Sequence, residues 1–365
     1  MANFVAMNPN KRGPVELGLA NVGREWVSRG GDFSLFYLEP PPSWYADMMH
    51  EAGIRYGVVG LETWHSDVLT TCASISADIV HLHMGRHTMA RELRRRGVRT
   101  LRTEHSDRPP RAAEPLRRLV RWHRQRPLES LVCVSEFLAD QTVRDFLVPR
   151  SRTQVIYNGC DLDRFRPRPT ERDHLRRSLL DAEPDELLVT VAAHLIPRKQ
   201  QHLLISAMPE VLRRSPRARL VIAGDGPERE NLMTQARALE LGDRVTFCFG
   251  DNDVALLYAA SDVGALVSSA EGLGGSAIEA QACGLPLITT GVDGLAETFL
   301  PGQTGLRVDS NAHSAAEAMI QLLTDDDLRI TMGERALEFV SDRFNPDRQV
   351  ESMCRLYDEI GRRAR

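Results

Sequence analysis

The 365-residue sequence predicts an α/β protein built as two parallel-sheet halves. Three observations predict it. At roughly 150 residues per domain, the length suits about two domains, each able to bury its own core. Short apolar strands alternate with helical segments, which implies parallel sheets. The alternation runs once, breaks at the Pro-rich polar stretch Arg164-Phe-Arg-Pro-Arg-Pro169, and then restarts. The expected boundaries are a first domain over residues 1–165, a second over 166–345, and a last helix over 346–365 returning to the first domain.

In the first half, Phe4-Val-Ala-Met7 is a short strand, followed by a loop carrying Lys11 and Gly13. Leu17, Leu19, Val22, Trp26 and Val27 stand near helical spacing, so residues 15–29 predict a helix that Gly30-Gly31 stops. Residues 33–38, 79–83, 100–103, 131–134 and 154–157 are apolar enough for strands, with a helix over 88–96. In the second half, strands are expected at 186–192, 219–223, 245–249, 263–267 and 287–290. Helices are expected at 201–214, after the turn Gly224-Asp-Gly-Pro227, at 276–283, and over most of 314–363. Ligands of such sheets bind beyond the carboxyl ends of the strands.

Composition narrows the class. Hydrophobic residues make up 42% and charged residues 26%, which excludes disordered and collagen-like chains. No apolar run reaches the roughly 18–20 residues of a spanning helix. The N-terminus has no basic segment leading into an apolar one, so a cytoplasmic location is expected. Six scattered cysteines without a Cys-x-x-Cys favour a reducing compartment.

The formal charge of −4 argues against a nucleic-acid partner. Its distribution is uneven: residues 86–126 hold fourteen arginines against four acids. Within it, residues 114–125 fit a basic amphipathic helix. That predicts either a solvated domain face or peripheral contact with an anionic membrane surface. Lys11 and Lys199 are the only lysines beside 44 arginines. A compact ammonium surviving in so Arg-biased a chain marks both as candidates for a ligand contact.

Two segments of the second half carry chemistry. Glu271-Gly-Leu-Gly-Gly-Ser-Ala-Ile-Glu279 follows a strand and opens a helix. Gly272, Gly274 and Gly275 let a ligand approach the backbone. The N–H groups at the helix start, around Ser276, suit an anion. Arg198 and Lys199 follow a strand and the loop that begins at His194, on the ligand side of the sheet; a guanidinium there offers a planar fork to phosphate. Together they predict a bound nucleotide diphosphate.

These residues resemble the GT-B glycosyltransferases of the retaining family 4 type. The resemblance is densest over 155–308. It rests on Glu271…Glu279 with Ala280-Gln-Ala-Cys-Gly-Leu-Pro286, on Val221-Ile-Ala-Gly-Asp-Gly-Pro227, and on Asn158-Gly-Cys-Asp161 with Phe165. Asp78-Ile-Val-His-Leu-His83 and Cys133-Val-Ser-Glu136 also fit. It implies two Rossmann-like domains facing across a cleft and transfer of a sugar from a nucleotide diphosphate sugar; Lys199, Arg198 and the helix dipole are expected to replace a divalent metal, so neither metal nor cofactor is expected.

The resemblance also implies roles. Glu271 would contact the donor sugar, Glu279 the ribose, and Lys199 the diphosphate. Gly272, Gly274, Gly275 and Ser276 would meet phosphates and sugar. His105 would reach the donor sugar from the first domain, and Gly13 would belong to the family's first glycine-rich loop, beside Lys11. Where the family has Gly-Arg ahead of the lysine, this chain has Ala193-His194, so Arg198 is expected to supply the second cation. The acceptor stays open among a small natural product, a polysaccharide and a lipid-linked sugar. Two other functions fit the architecture: a nucleotide-sugar epimerase, and a catalytically inactive nucleotide-sugar-binding protein. His81, His83 and His87 are spaced so that a metal site is geometrically conceivable, but none is expected.

Overall fold

A computed structural model describes residues 1–9, 12–84, 88–105, 123, 125–146, 148–250 and 252–362. They form two compact units, Met1–Gly159 with Pro346–Arg365, and Cys160–Asn345.

The first unit holds a seven-stranded sheet, ordered β3-β2-β1-β4-β5-β6-β7. Its strands are β1 Ala2–Val5, β2 Ser34–Tyr37, β3 Arg55–Val58, β4 Ile79–His83, β5 Arg99–Glu104, β6 Ser130–Cys133 and β7 Thr153–Val155. Every pairing is parallel. Alternate residues face opposite cores. Ile79 and Leu101 join a core with Leu19, Val22 and Tyr357, while Val80 and Leu82 join another with Phe4, Trp64 and Leu93. The helix Pro346–Arg362 contributes Met353, Cys354, Leu356, Tyr357 and Ile360 to the first of these cores.

The second unit holds a six-stranded sheet, ordered β10-β9-β8-β11-β12-β13. Its strands are β8 Leu187–Ala192, β9 Ala218–Ala223, β10 Val245–Cys248, β11 Val263–Leu266, β12 Leu287–Thr289 and β13 Gly305–Arg307, again all parallel. The helices Gln201–Arg214 and Ala312–Thr324 bury Leu204, Met208, Val211, Met319 and Leu322 on one face. Under the sheet, the buried Arg176 donates to the carbonyls of Ala260, Pro184 and Glu186 and to Asp262 Oδ2 at 2.6 Å. Asp262 also accepts from Leu188 N at 2.7 Å, which ties the helix Arg172–Leu180 to the start of β8.

Strand order reverses between β1 and β4 in one sheet and between β8 and β11 in the other. Loops leaving those strands diverge and open a crevice at their carboxyl ends.

Several expectations shift. The first strand is Ala2–Val5 rather than residues 4–7, because Ala2 to Phe4 pair with both β2 and β4 while Met7 N turns back to Val5 O. The helix over 88–96 contracts to Ala90–Arg95, and the helix after Glu271 starts one residue early, as Gly275–Ala282. The edge strands β3 and β13 were not foreseen. The basic stretch over 106–122, Lys11 and His87 lie outside the described residues, and of the expected helix over 114–125 only His123 and Gln125 are described. All six cysteines are buried and free. Among the described residues no helix is long and apolar enough to cross a membrane.

Candidate functional site

The site of the second unit is built by the loops that leave β8 and β11, at the switch point of its sheet. The β8 loop is held from behind by the Gly224-Asp-Gly turn. Leu195 N donates to Asp225 O at 2.9 Å, and Glu228 N donates to Leu195 O at 3.0 Å. Gly224 has φ +133, and a Cβ there would lie 2.1 Å from Ala193 O. Only glycine lets the two backbones meet this closely. The turn motif therefore acts as a strut for the loop that carries the cations.

From that loop Lys199 and Arg198 reach the β11 loop. Lys199 Nζ pairs with Glu271 Oε1, and Arg198 Nη1 donates to Glu271 Oε2 at 3.3 Å and to Ala270 O at 2.6 Å. Ser268 Oγ donates to Glu271 Oε1 at 2.7 Å, and Gly294 N donates to Glu271 O at 3.1 Å. Glu271 is buried, Lys199 nearly so, and Arg198 is exposed. A buried carboxylate is tolerated because two cations and a hydroxyl compensate it. Lys199 and Glu271, 72 positions apart, thus meet directly, so the expectation that each faces a ligand on its own is refined.

After Glu271, Gly274 adopts φ +96 and caps the helix Gly275–Ala282 without a side-chain hydrogen bond. A Cβ on Gly274 would come 2.6 Å from Leu295 Cδ1. Behind the helix, a Cβ at Gly264 would meet Ala280 Cβ at 2.6 Å, so two small residues let the helix press on β11. Its first turn follows Glu271 by four residues and carries a dipole that favours an anion. Ser276 is half-buried and its carbonyl accepts from Tyr258 Oη at 3.2 Å.

Glu279 lies one helical turn on. Desolvation pushes its carboxyl up from 4.5 to about 7, and the Arg164 charge opposes this. The same carboxylate helps to raise the buried Cys160 and Cys283 thiols. His194 is exposed, and its carbonyl accepts from Ile196 N and Gln201 Nε2.

In the first unit, Gly13 precedes the helix Pro14–Ser28, and a Cβ there would lie 2.9 Å from Glu16 Oε2. His105 follows β5, with Nε2 3.1 Å from His83 Nδ1. His105, His83, Thr103, Asn158 and Gln349 line a small pocket with room for about one water-sized group. Asn158 opens the Asn158-Gly-Cys-Asp161 motif, whereas Gln349 carries no signal that marks it from sequence alone.

Among the described residues no three His, Cys, Asp or Glu side chains group as metal ligands. The sequence holds Asp-x-Asp triplets at 161–163, 251–253 and 325–327. Among the described members, Asp161 accepts from Arg164 N, Asp253 pairs with Arg164, Asp325 caps a helix and Asp326 pairs with Arg329.

The family described as Glycosyl transferases group 1 matches residues 171–339, and Glycosyltransferase Family 4 matches residues 15–164. A D-inositol 3-phosphate glycosyltransferase of Actinosynnema mirum is 30% identical, over 86% of this chain and 75% of that protein. A GDP-mannose-dependent alpha-(1-6)-phosphatidylinositol monomannoside mannosyltransferase of Mycobacterium tuberculosis is 35% identical, over 54% of each chain. That match, like several others, spans little more than half the relative's length. Among solved structures, Anabaena HepE in complex with UDP and glucose superposes with a TM-score of 0.82 at 20% identity, over 98% of this chain and 99% of that one. A glycosyltransferase from Rickettsia africae gives 0.84 at 18%, over 98% of each. These structures share the GT-B fold of two Rossmann-like domains.

Proposed function

Because the chain belongs to the group 1 glycosyltransferases of family 4 type, we propose that it transfers a sugar from a nucleotide diphosphate sugar to an acceptor hydroxyl. The observation that carries this reading is the Lys199–Glu271–Arg198 cluster, from whose Glu271 the chain runs in four residues to the helix start at Gly275. Cleavage of the glycosidic bond leaves charge on the diphosphate. Lys199 and Arg198, once exchanged from Glu271 to the phosphates, and the first-turn N–H groups meet that charge. Preorganised charge at a developing anion supplies a large share of barrier reduction. With cations and a dipole in that place, the leaving group needs no divalent metal. Glu271 then accepts hydrogen bonds from donor-sugar hydroxyls and Glu279 from the ribose. The anomeric configuration is retained, as in the family the motifs resemble.

The inositol in the names of two relatives supports an acceptor with an inositol ring, free or as a phospholipid headgroup. In the lipid case the basic residues 86–126 would contact the membrane peripherally, and sedimentation with anionic vesicles reads that contact. The GDP-mannose of one relative supports a guanosine diphosphate sugar as donor. A thermal-shift screen of nucleotide diphosphate sugars tests the reading. The cognate donor at about 100 times its Kd stabilises by roughly 2.7 kcal/mol. No shift with any such sugar, or an isomerised nucleotide sugar formed without acceptor, overturns it.

A further inference from the structure

The first unit buries a chain of polar side chains that the cluster around Lys199 does not involve. His81 and His83 share one face of β4, with ring centroids 3.9 Å apart. Thr103 Oγ1 lies 2.6 Å from His81 Nε2, and His81 Nδ1 lies 2.8 Å from Tyr357 Oη. Tyr357 Oη donates to Asn3 Oδ1 at 3.4 Å. His83 Nε2 lies 3.3 Å from the same oxygen, and His83 Nδ1 lies 3.1 Å from His105 Nε2.

The Asn3 carboxamide turns Oδ1 towards His83 and Tyr357 and leaves Nδ2 buried without a partner among the described residues, and this orientation sets the sense of the donors and acceptors. A carboxamide oxygen only accepts, so Asn3 Oδ1 requires a proton on His83 Nε2. A neutral imidazole carries a single N–H, so His83 Nδ1 is an acceptor and His105 Nε2 must donate to it. Likewise Tyr357, donating to Asn3, receives from His81 Nδ1–H, and His81 Nε2 accepts from Thr103. Each hydrogen is used once. His105 Nδ1 is left as a bare lone pair. It is buried and has no hydrogen-bond partner among the described residues. His105 also lines the pocket shared with Asn158 and Gln349.

We propose that Asn3 and His83 are positioning residues that hold His105 in its Nε2–H tautomer, so that Nδ1 accepts a hydrogen bond from a sugar or polyol hydroxyl entering this pocket. Burial keeps all three rings uncharged at neutral pH, with His105 held down at about 4 and His81 at about 3. The role of the hydroxyl rests on the transferase reading. The tautomer does not, since it follows from contacts made without substrate.

Two-bond proton–nitrogen correlation spectra of the full chain, labelled with ¹⁵N-histidine and recorded without substrate near pH 7.5, test the assignment. Single His→Gln variants assign the signals. The expected result is Nε2–H for His83 and His105 and Nδ1–H for His81. The opposite orientation of the Asn3 amide would reverse the chain and put the proton on His105 Nδ1, and that result overturns the proposal. Asn3→Leu removes the acceptor that sets the sense, so the His105 signals should move to a mixture of tautomers. Asn3→Asp, which offers only acceptors, should keep them. With donor and acceptor supplied, Asn3→Leu should lower kcat by about tenfold or more with KM little changed, because the wrong tautomer disables an intact ring. Unmoved His105 signals in Asn3→Leu sink the proposal. If the leucine variant does not fold, the wild-type spectrum alone decides. A chain inactive on every sugar donor but with the expected tautomers fails the transferase reading and leaves the assignment standing.

Discussion

Replacing Glu279 by Gln should stabilise the ligand-free protein at alkaline pH and impair its binding of the donor. In the helix Gly275–Ala282 the Glu279 carboxyl is desolvated, and this raises it from 4.5 to about 7. A raised carboxyl binds a proton more readily folded than unfolded. Stability therefore falls as pH climbs from about 4.5 to about 7 and is level above that. At about 1.4 kcal/mol per pH unit the full loss is about 3 kcal/mol. The Gln side chain has the protonated carboxyl's shape and no charge, so it avoids the loss. The stability gap between variant and wild type should be about 3 kcal/mol at pH 8, about 1.5 at pH 5.5, and near zero below pH 4.5. Urea unfolding followed by far-UV circular dichroism measures it. The second unit, Cys160–Asn345, holds no tryptophan, so circular dichroism is the more direct probe of Glu279 than fluorescence. A gap absent at pH 8, or unchanged between pH 8 and pH 4.5, would refute the reasoning. With a nucleotide diphosphate sugar added, wild type should gain more than the variant, because ribose hydroxyls donate better to a carboxylate.

Other perturbations separate the parts of the site. Lys199→Ala should lower turnover by about 100- to 1000-fold and also lower the melting temperature, because it leaves the buried Glu271 to Arg198 and Ser268 alone; Lys199→Arg should also be impaired, and near-normal rates would remove Lys199 from the mechanism. Full activity is expected after exhaustive chelation, and loss that magnesium or manganese reverses would show that a metal takes part. Gly224→Ala should cost about 1–3 kcal/mol and weaken donor binding, because its Cβ would sit 2.1 Å from Ala193 O in the loop that carries the cations. Wild-type donor affinity in that variant would deny the turn its role as a strut.

What the sequence made legible follows from burial. Ile79–His83 and Gln201–Arg214 are central elements, so their apolar pattern is uninterrupted and their bounds could be read directly. β3 was hidden because it is an edge strand. Arg55, Tyr56 and Val58 are exposed and Gly57 interrupts the run, so no alternation marks it. β13 has only three residues, opened by a glycine. In the site, residue types were legible and partners were not. Glu271 and Lys199 stand out by motif and by rarity, yet nothing local says that they pair across 72 positions. The histidines of β4 invite a metal reading until Asn3 and Tyr357 arrive from opposite ends of the chain to take up their nitrogens. Contacts of such sequence separation leave no periodic trace.

The pairing of Lys199 with Glu271 bears on how the donor enters. In the ligand-free protein the ammonium is spent on a carboxylate, with Arg198 on the second oxygen. A diphosphate arriving at Lys199 competes with Glu271 for it. In the proposed reading this is an exchange: phosphate oxygens take the cation, and the released carboxylate turns to the hydroxyls of the sugar that came with them. A nucleoside diphosphate without sugar forces the exchange and offers Glu271 nothing in return. Glu271→Gln therefore has opposite effects on two ligands. It removes the competing anion, so the bare nucleoside diphosphate should bind tighter, by about tenfold if about 1.4 kcal/mol of the ion pair is recovered. It also removes the sugar's acceptor, so the intact donor should gain less affinity and turnover should fall. Calorimetric titration of the ligand-free variant with both ligands reads the two constants. Weaker binding of the nucleoside diphosphate by Glu271→Gln would show that Lys199 and Glu271 act together on the phosphates, and the exchange would be wrong.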